Sequence, residues 1–192
     1  MINIAIFASG NGTNAEQLMK FFDHHESIHV SRILTNKKDA FVIQRAKKYN
    51  VPVSVFSRDD LYSNGKVMEI LTLDNIQFIV LAGFLWLVPK ELIRNFNGKI
   101  INIHPALLPK FGGKGMYGDN IHRAVIESGE KESGITIHFI DEEYDRGGIL
   151  FQASCPVKPG DTPESLAERI HSLEYTYFPV IVQKTILKNN GE

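Results

Sequence analysis

Residues 2–14 read INIAIFASGNGTN, a strand, a turn and a helix start from which the architecture follows. Ile2 to Ala8 is a near-continuous apolar run of strand length, the pattern of a strand covered on both faces of its sheet. It stops at Ser9-Gly10-Asn11-Gly12-Thr13-Asn14, a dense turn signal, and helical character follows from Ala15 to Phe22. A strand, a glycine-rich turn and a helix in immediate succession form the opening unit of a parallel α/β sheet.

Outward from this unit the alternation continues. His29 to Thr35 reads as a strand, Ala40 to Tyr49 as a helix and Val53 to Phe56 as a short strand. Asp59 to Leu73 is helical with a possible break at Gly65, Phe78 to Ala82 is the most apolar strand, and Ile100 to Ile103 is the next. Strands alternating with helices predict right-handed crossovers and a doubly wound, mostly parallel α/β sheet of Rossmann-like type. The second half differs. Lys110 to Asp119 is glycine-rich and irregular, while Gly134 to Ile140 and Ile149 to Val157 read as an antiparallel strand pair joined across Asp145-Arg146-Gly147-Gly148. Thr162 as N-cap and Pro163 at the first helical position then open a long C-terminal helix. Leu166, Ile170, Leu173, Tyr177 and Ile181 form its expected buried stripe, and Pro179 should kink it. Without repeats, low-complexity segments or a linker, residues 1–192 are read as a single domain.

The chain has 192 residues, enough for one substantial core. A hydrophobic content of 43% with 22% charged residues is an ordinary globular balance. A formal net charge of -1 offers no global attraction for nucleic acid or an anionic membrane, so any phosphate must be recognised locally. One cysteine, Cys155, excludes an intrachain disulfide. No apolar run approaches the ~18 residues that span a bilayer, and the first strand follows Met1 without a leader pattern, so a cytoplasmic location is expected.

Three places carry the residue types that chemistry needs. Gly10 to Asn14 joins a strand to a helix N-terminus, where free backbone N–H groups and the helix dipole suit an anion. It lacks the dinucleotide fingerprint and the P-loop lysine, so a monophosphate fits better than a pyrophosphate, and a plain tight turn would read the same way. Asn102-Ile103-His104-Pro105-Ala106-Leu107-Leu108-Pro109 follows a strand at the carboxyl edge of the sheet. Asn102 and His104 are two apart, so they share a side of an extended chain. An amide donor beside an imidazole can stabilise an oxyanion and move a proton near neutral pH, whereas a histidine merely satisfied at a strand end is the structural reading. Asp145 closes an acidic turn, Asp141-Glu142-Glu143-Tyr144-Asp145, read either as a solvated turn or as a carboxylate that orients His104 and raises its pKa. His138 faces either a site or a polar surface, Trp86 either a flat ligand or the core, and Cys155 packs. His24, His25 and His29 lack a cysteine partner or zinc spacing, so no metal is expected.

The order and spacing of the glycine loop, N-x-H-P-x-L-L-P-K and D-R-G-G resemble the phosphoribosylglycinamide formyltransferase family, the folate-dependent enzymes of purine biosynthesis, over essentially the whole chain. The resemblance implies a Rossmann-like formyltransferase fold and transfer of a formyl group from 10-formyltetrahydrofolate, as cosubstrate, to the amine of 5-phospho-ribosylglycinamide. It implies Asn102, His104 and Asp145 as catalytic residues, and Gly12, Thr13, Asn14, Ala15, Glu16 and Glu174 as substrate-binding residues. It implies a folate site from Arg58, Leu85, Trp86, Leu87, Val88, Asn102, Asp141, Glu142, Glu143, Tyr144 and Asp145. Leu85-Trp86 departs from a common Met-Arg, and Arg146 stands where a small residue can occur. No metal, nucleic acid or membrane is expected, and the chain would act as a monomer or homodimer. A formyltetrahydrofolate hydrolase shares the catalytic trio but uses water as acceptor, and usually carries a further regulatory domain. A non-catalytic nucleotide-binding regulator is the reading from another class.

Overall fold

The computed structural model describes residues 1–113, 115–141 and 147–191. Along these the chain runs β1 (Ile2–Phe7), α1 (Thr13–Phe22), β2 (Ile28–Thr35), α2 (Val42–Lys48), β3 (Val53–Val55), α3 (Arg58–Tyr62), α4 (Lys66–Leu73), β4 (Phe78–Leu81), α5 (Lys90–Asn95), β5 (Ile100–His104), α6 (Asp119–Glu127), β6 (Glu132–Phe139), β7 (Ile149–Pro156) and α7 (Pro163–Asn189). The strands form one sheet in the order β3-β2-β1-β4-β5-β6-β7. The first five are parallel, and β6 and β7 add on antiparallel.

Alternation along the strands divides the core in two. Ile4, Ile6, Phe78, Val80, Ile101 and Ile135 pack against Leu18 of α1, Val42 of α2, Val125 of α6 and the buried residues of α7. Ala5, Phe7, Ile79, Leu81 and Ile100 face the other way, onto Leu61, Val67, Leu71, Leu92 and Ile93 of α3, α4 and α5. Helices therefore cover both faces, as the apolar strand runs require. The chain leaves β1 toward β2 and β3, then returns to the other side of β1 at β4. The point where the winding reverses lies between the carboxyl ends of β1 and β4, the place where open α/β sheets hold ligands.

The expected elements are present, with differences of physical origin. Asp59 to Leu73 falls into two helices: α3 ends at Tyr62 with Ser63 as its C-cap, and Gly65, at a φ of 73°, is the N-cap that opens α4. α5 and α6 were not expected. α6 begins at Asp119 and exists through packing: Ile121 and Val125 are both fully buried. α7 opens with the expected cap, Thr162 and Ser165 exchanging backbone and side-chain hydrogen bonds, and it runs unbroken through Pro179. Its buried stripe is not the expected one. Leu166 and Ile170 lead instead to Glu174, Phe178, Val182 and Ile186, with Leu173, Tyr177 and Ile181 only partly buried beside it. A carboxylate thus takes a core position, and the next section gives the reason. Among the described residues no helix is long and apolar enough to cross a membrane.

Candidate active site

A cavity of about 950 Å³ opens at the carboxyl edge of the sheet. Its wall is made of residues 9–14 after β1, 81–88 after β4, 102–105 at the end of β5, and Ile140 and Asp141 after β6. Gly113, residues 115–118, His122, His171 and Glu174 close the remaining side. These are the loops that the winding of the sheet collects at one place, although they lie far apart in sequence.

The glycine loop is clamped from several directions. Val42 N–H donates to the Gly10 carbonyl at 3.2 Å. Arg45 donates to both the backbone and the side-chain oxygen of Asn11, each at 2.8 Å. Ser9 N–H donates to the Gly83 carbonyl, and Ser9 Oγ accepts from Leu85 N–H, both at 3.0 Å, which ties the β1 and β4 loops together. Gly12 is the N-cap of α1 at φ 72°, ψ 28°. The first N–H groups of α1 have no partner within the helix, and no side chain caps them, a terminus of the kind that suits an anion.

The second wall carries Asn102 and His104 on one face of β5. His104 is 4% exposed, and its Nε2 donates to the Phe111 carbonyl at 2.8 Å. The following loop is fixed by one hydroxyl: Thr136 Oγ1 donates to the Ala106 carbonyl at 2.7 Å and accepts from Leu108 N–H at 3.0 Å and from Gln152 Nε2 at 2.9 Å. All the bonding capacity of that hydroxyl is used, which rigidifies the segment holding His104.

The third wall explains the charged residue in the α7 stripe. Glu174 Oε2 accepts from Asn14 Nδ2 at 2.9 Å and from His171 Nδ1 at 2.8 Å. The hydrogen bond to Glu174 pushes the His171 pKa up, against a smaller opposing effect of burial. His122 lies nearby with its pKa pushed down, first by burial and then by the charge of His171. His122 Nδ1 and Asn14 Oδ1 are buried with no protein partner among the described residues, so this wall has hydrogen-bonding capacity left for a ligand.

The raised His171 pKa has a testable consequence. A cationic His171 favours the folded state, fully below the ordinary value of about 6.5, and this contribution is lost as pH rises through the raised folded value. The stability difference between wild type and His171→Gln is therefore expected to be largest below about pH 6.5 and to shrink toward higher pH. Thermal unfolding of both proteins across that window checks it, and a constant gap would contradict it.

Of the sequence-predicted residues, Gly12, Thr13, Asn14, Arg58, Leu85, Trp86, Leu87, Val88, Asn102, His104, Asp141 and Glu174 all line the cavity. Trp86 packs edge-on against Phe56 and Phe84, and the Arg58 guanidinium lies 5.8 Å from its ring centre and 5.1 Å from that of Tyr62. The Ala15 side chain is instead in the core, and the Glu16 carboxylate is paired with Arg45 and Lys48. Glu142, Glu143, Tyr144 and Asp145 lie outside the described residues, as does Arg146. Lys37, Tyr62, His122 and His171 also line the cavity wall, beyond the residues predicted from the sequence. For His171 the available signal was its place three residues before Glu174. Among the described residues there is no cluster of histidine, cysteine or carboxylate side chains able to hold a metal ion.

Fold and site define a doubly wound α/β protein whose switch-point cavity brings the N-terminus of α1 and the Asn102–His104 face of β5 onto one wall. The sequence model described as "Formyl transferase" matches residues 2–182, and the chain belongs to the formyl transferase family. It is similar to the chloroplastic phosphoribosylglycinamide formyltransferase of Arabidopsis thaliana, at 42% identity over 185 residues, which are 93% of this chain and 63% of that protein. It is also similar to the phosphoribosylglycinamide formyltransferase of Haemophilus influenzae, at 35% identity over 95% of this chain and 86% of that one. The crystal structure of phosphoribosylglycinamide formyltransferase from Bacillus halodurans superposes with a TM-score of 0.85 at 34% identity, covering 95% and 94% of the two chains. The chain spans 63% and 59% of the length of the two plant relatives it matches.

Proposed function

We propose that this protein transfers the formyl group of 10-formyltetrahydrofolate to the amine of 5-phospho-ribosylglycinamide, giving formylglycinamide ribonucleotide and tetrahydrofolate in the cytoplasm. The observation that carries the reading is a single cavity in which the α1 N-terminus and the Asn102–His104 face share the wall. Family membership and the relatives named above support it.

In this reading the phosphate sits on the N–H groups after Gly12, and Glu174 with Asn14 and His171 holds the ribose side. The pterin lies against residues 85–88, and Arg58 faces the acidic tail of the folate. The glycine amine attacks the formyl carbon directly. A C–N bond forms to the amine, the carbon's bond to N10 of the folate breaks, and the proton leaving the amine ends on N10. Asn102 and protonated His104 stabilise the oxyanion of the tetrahedral intermediate, and Asp145 assists His104. Mass spectrometry of a reaction containing both substrates should show formylglycinamide ribonucleotide. Its absence with both at saturation would overturn the proposal.

A further inference from the structure

The pairing of β5 with β6 sets Asn102 directly opposite His138, so the two side chains project from the same face as cross-strand neighbours. His138 has no exposed surface, and both of its ring nitrogens are engaged. Nδ1 lies 2.9 Å from the Phe139 carbonyl and Nε2 lies 3.0 Å from the Asn102 amide nitrogen. A carbonyl only accepts, so Nδ1 carries the proton. An amide nitrogen only donates, so Nε2 is bare.

We propose that His138, held as the neutral Nδ1–H tautomer, is a positioning residue that fixes which way round the Asn102 amide sits. The two ends of a carboxamide are almost the same size, so packing alone chooses weakly between them. They are opposite electrostatically: turned one way the amide presents an N–H to a developing oxyanion, turned the other way it presents a carbonyl oxygen that repels it. The bare Nε2 of His138 accepts one Nδ2 proton and would repel Oδ1. This leaves the second Nδ2 proton for the reacting oxygen. The backbone supplies the fixed point, because the Phe139 carbonyl sets the tautomer and the strand register sets the distance. This inference rests on the role given to Asn102 above.

The test is a double-mutant cycle with a spectroscopic check. His138→Phe keeps the ring volume and removes the acceptor. It is expected to lower kcat by about 10-fold or more, short of the loss caused by Asn102→Ala, with both KM values unchanged. His138→Gln, whose Oε1 can accept at a similar reach, should restore most of kcat. In the Asn102→Ala background, His138→Phe should change kcat by less than about 2-fold, because nothing remains to be oriented. Equal losses in the two backgrounds would mean that His138 acts on stability or elsewhere, and would overturn the proposal while leaving Asn102 its role. An Asn102→Ala protein with unchanged kcat would remove both. Independently of any variant, nitrogen NMR of the wild-type protein should find Nδ1 of His138 protonated and Nε2 bare. A protonated Nε2 would require the amide to be turned the other way and would overturn the assignment.

Discussion

His104→Ala is expected to lower kcat by about 10²–10³-fold while leaving both KM values within about 2-fold. The size follows from the kind of interaction lost. The ring is 4% exposed and sits at the end of β5, anchored through Nε2 to the Phe111 carbonyl. In the proposed transfer, a rigidly held donor does little for a neutral formyl group in the ground state and much for the oxyanion of the tetrahedral intermediate. Such a loss appears in kcat rather than in substrate affinity. Steady-state kinetics on a variant shown by circular dichroism to be folded checks it. A kcat within about 3-fold of wild type would remove His104 from the chemistry.

Gly12→Ala is expected to raise the KM for the phosphorylated acceptor by about 10-fold or more, with the KM for the folate donor little changed. Two independent costs meet at this residue. Its φ of 72° is left-handed, which costs any residue with a Cβ about 1–2 kcal/mol. That Cβ would also lie 2.4 Å from Cγ2 and 2.9 Å from Cα of Val42, at the start of α2. Because the clash reaches backbone, a rotamer change cannot relieve it, and overpacking of this kind costs a further ~1–3 kcal/mol. Either the loop or α2 must move, and the N–H groups at the α1 terminus move with the loop. Acceptor and donor KM values measured separately test this. Unchanged acceptor affinity would mean that the loop is only a turn and the phosphate binds elsewhere.

Both predictions concern residues that were visible in the sequence, and the reasons are local. A run such as Ile2 to Ala8 followed by a glycine-rich turn specifies a buried strand and a helix start from its own residues. The Thr162–Ser165 cap likewise lies within four consecutive positions. What escaped the sequence depends on distant partners. α6 is short, its apolar residues Ile121, Ala124, Val125 and Ile126 are few, and it is the burial of Ile121 and Val125 against the core that makes it a helix. The α7 stripe was misplaced because apolar spacing passes over Glu174, which is buried since Asn14 and His171 meet it from outside its own stripe. His138 could not be assigned to a site until β6 was known to pair with β5 in one register. Asp145, legible from the resemblance, lies outside the described residues.

The measurement that bears most directly on the formyl-transfer reading is spectrophotometric deformylation of 10-formyltetrahydrofolate with 5-phospho-ribosylglycinamide present and withheld. Turnover only when the amine is present is the predicted result. Equally fast deformylation in its absence would contradict it, making water the acceptor and the protein a hydrolase.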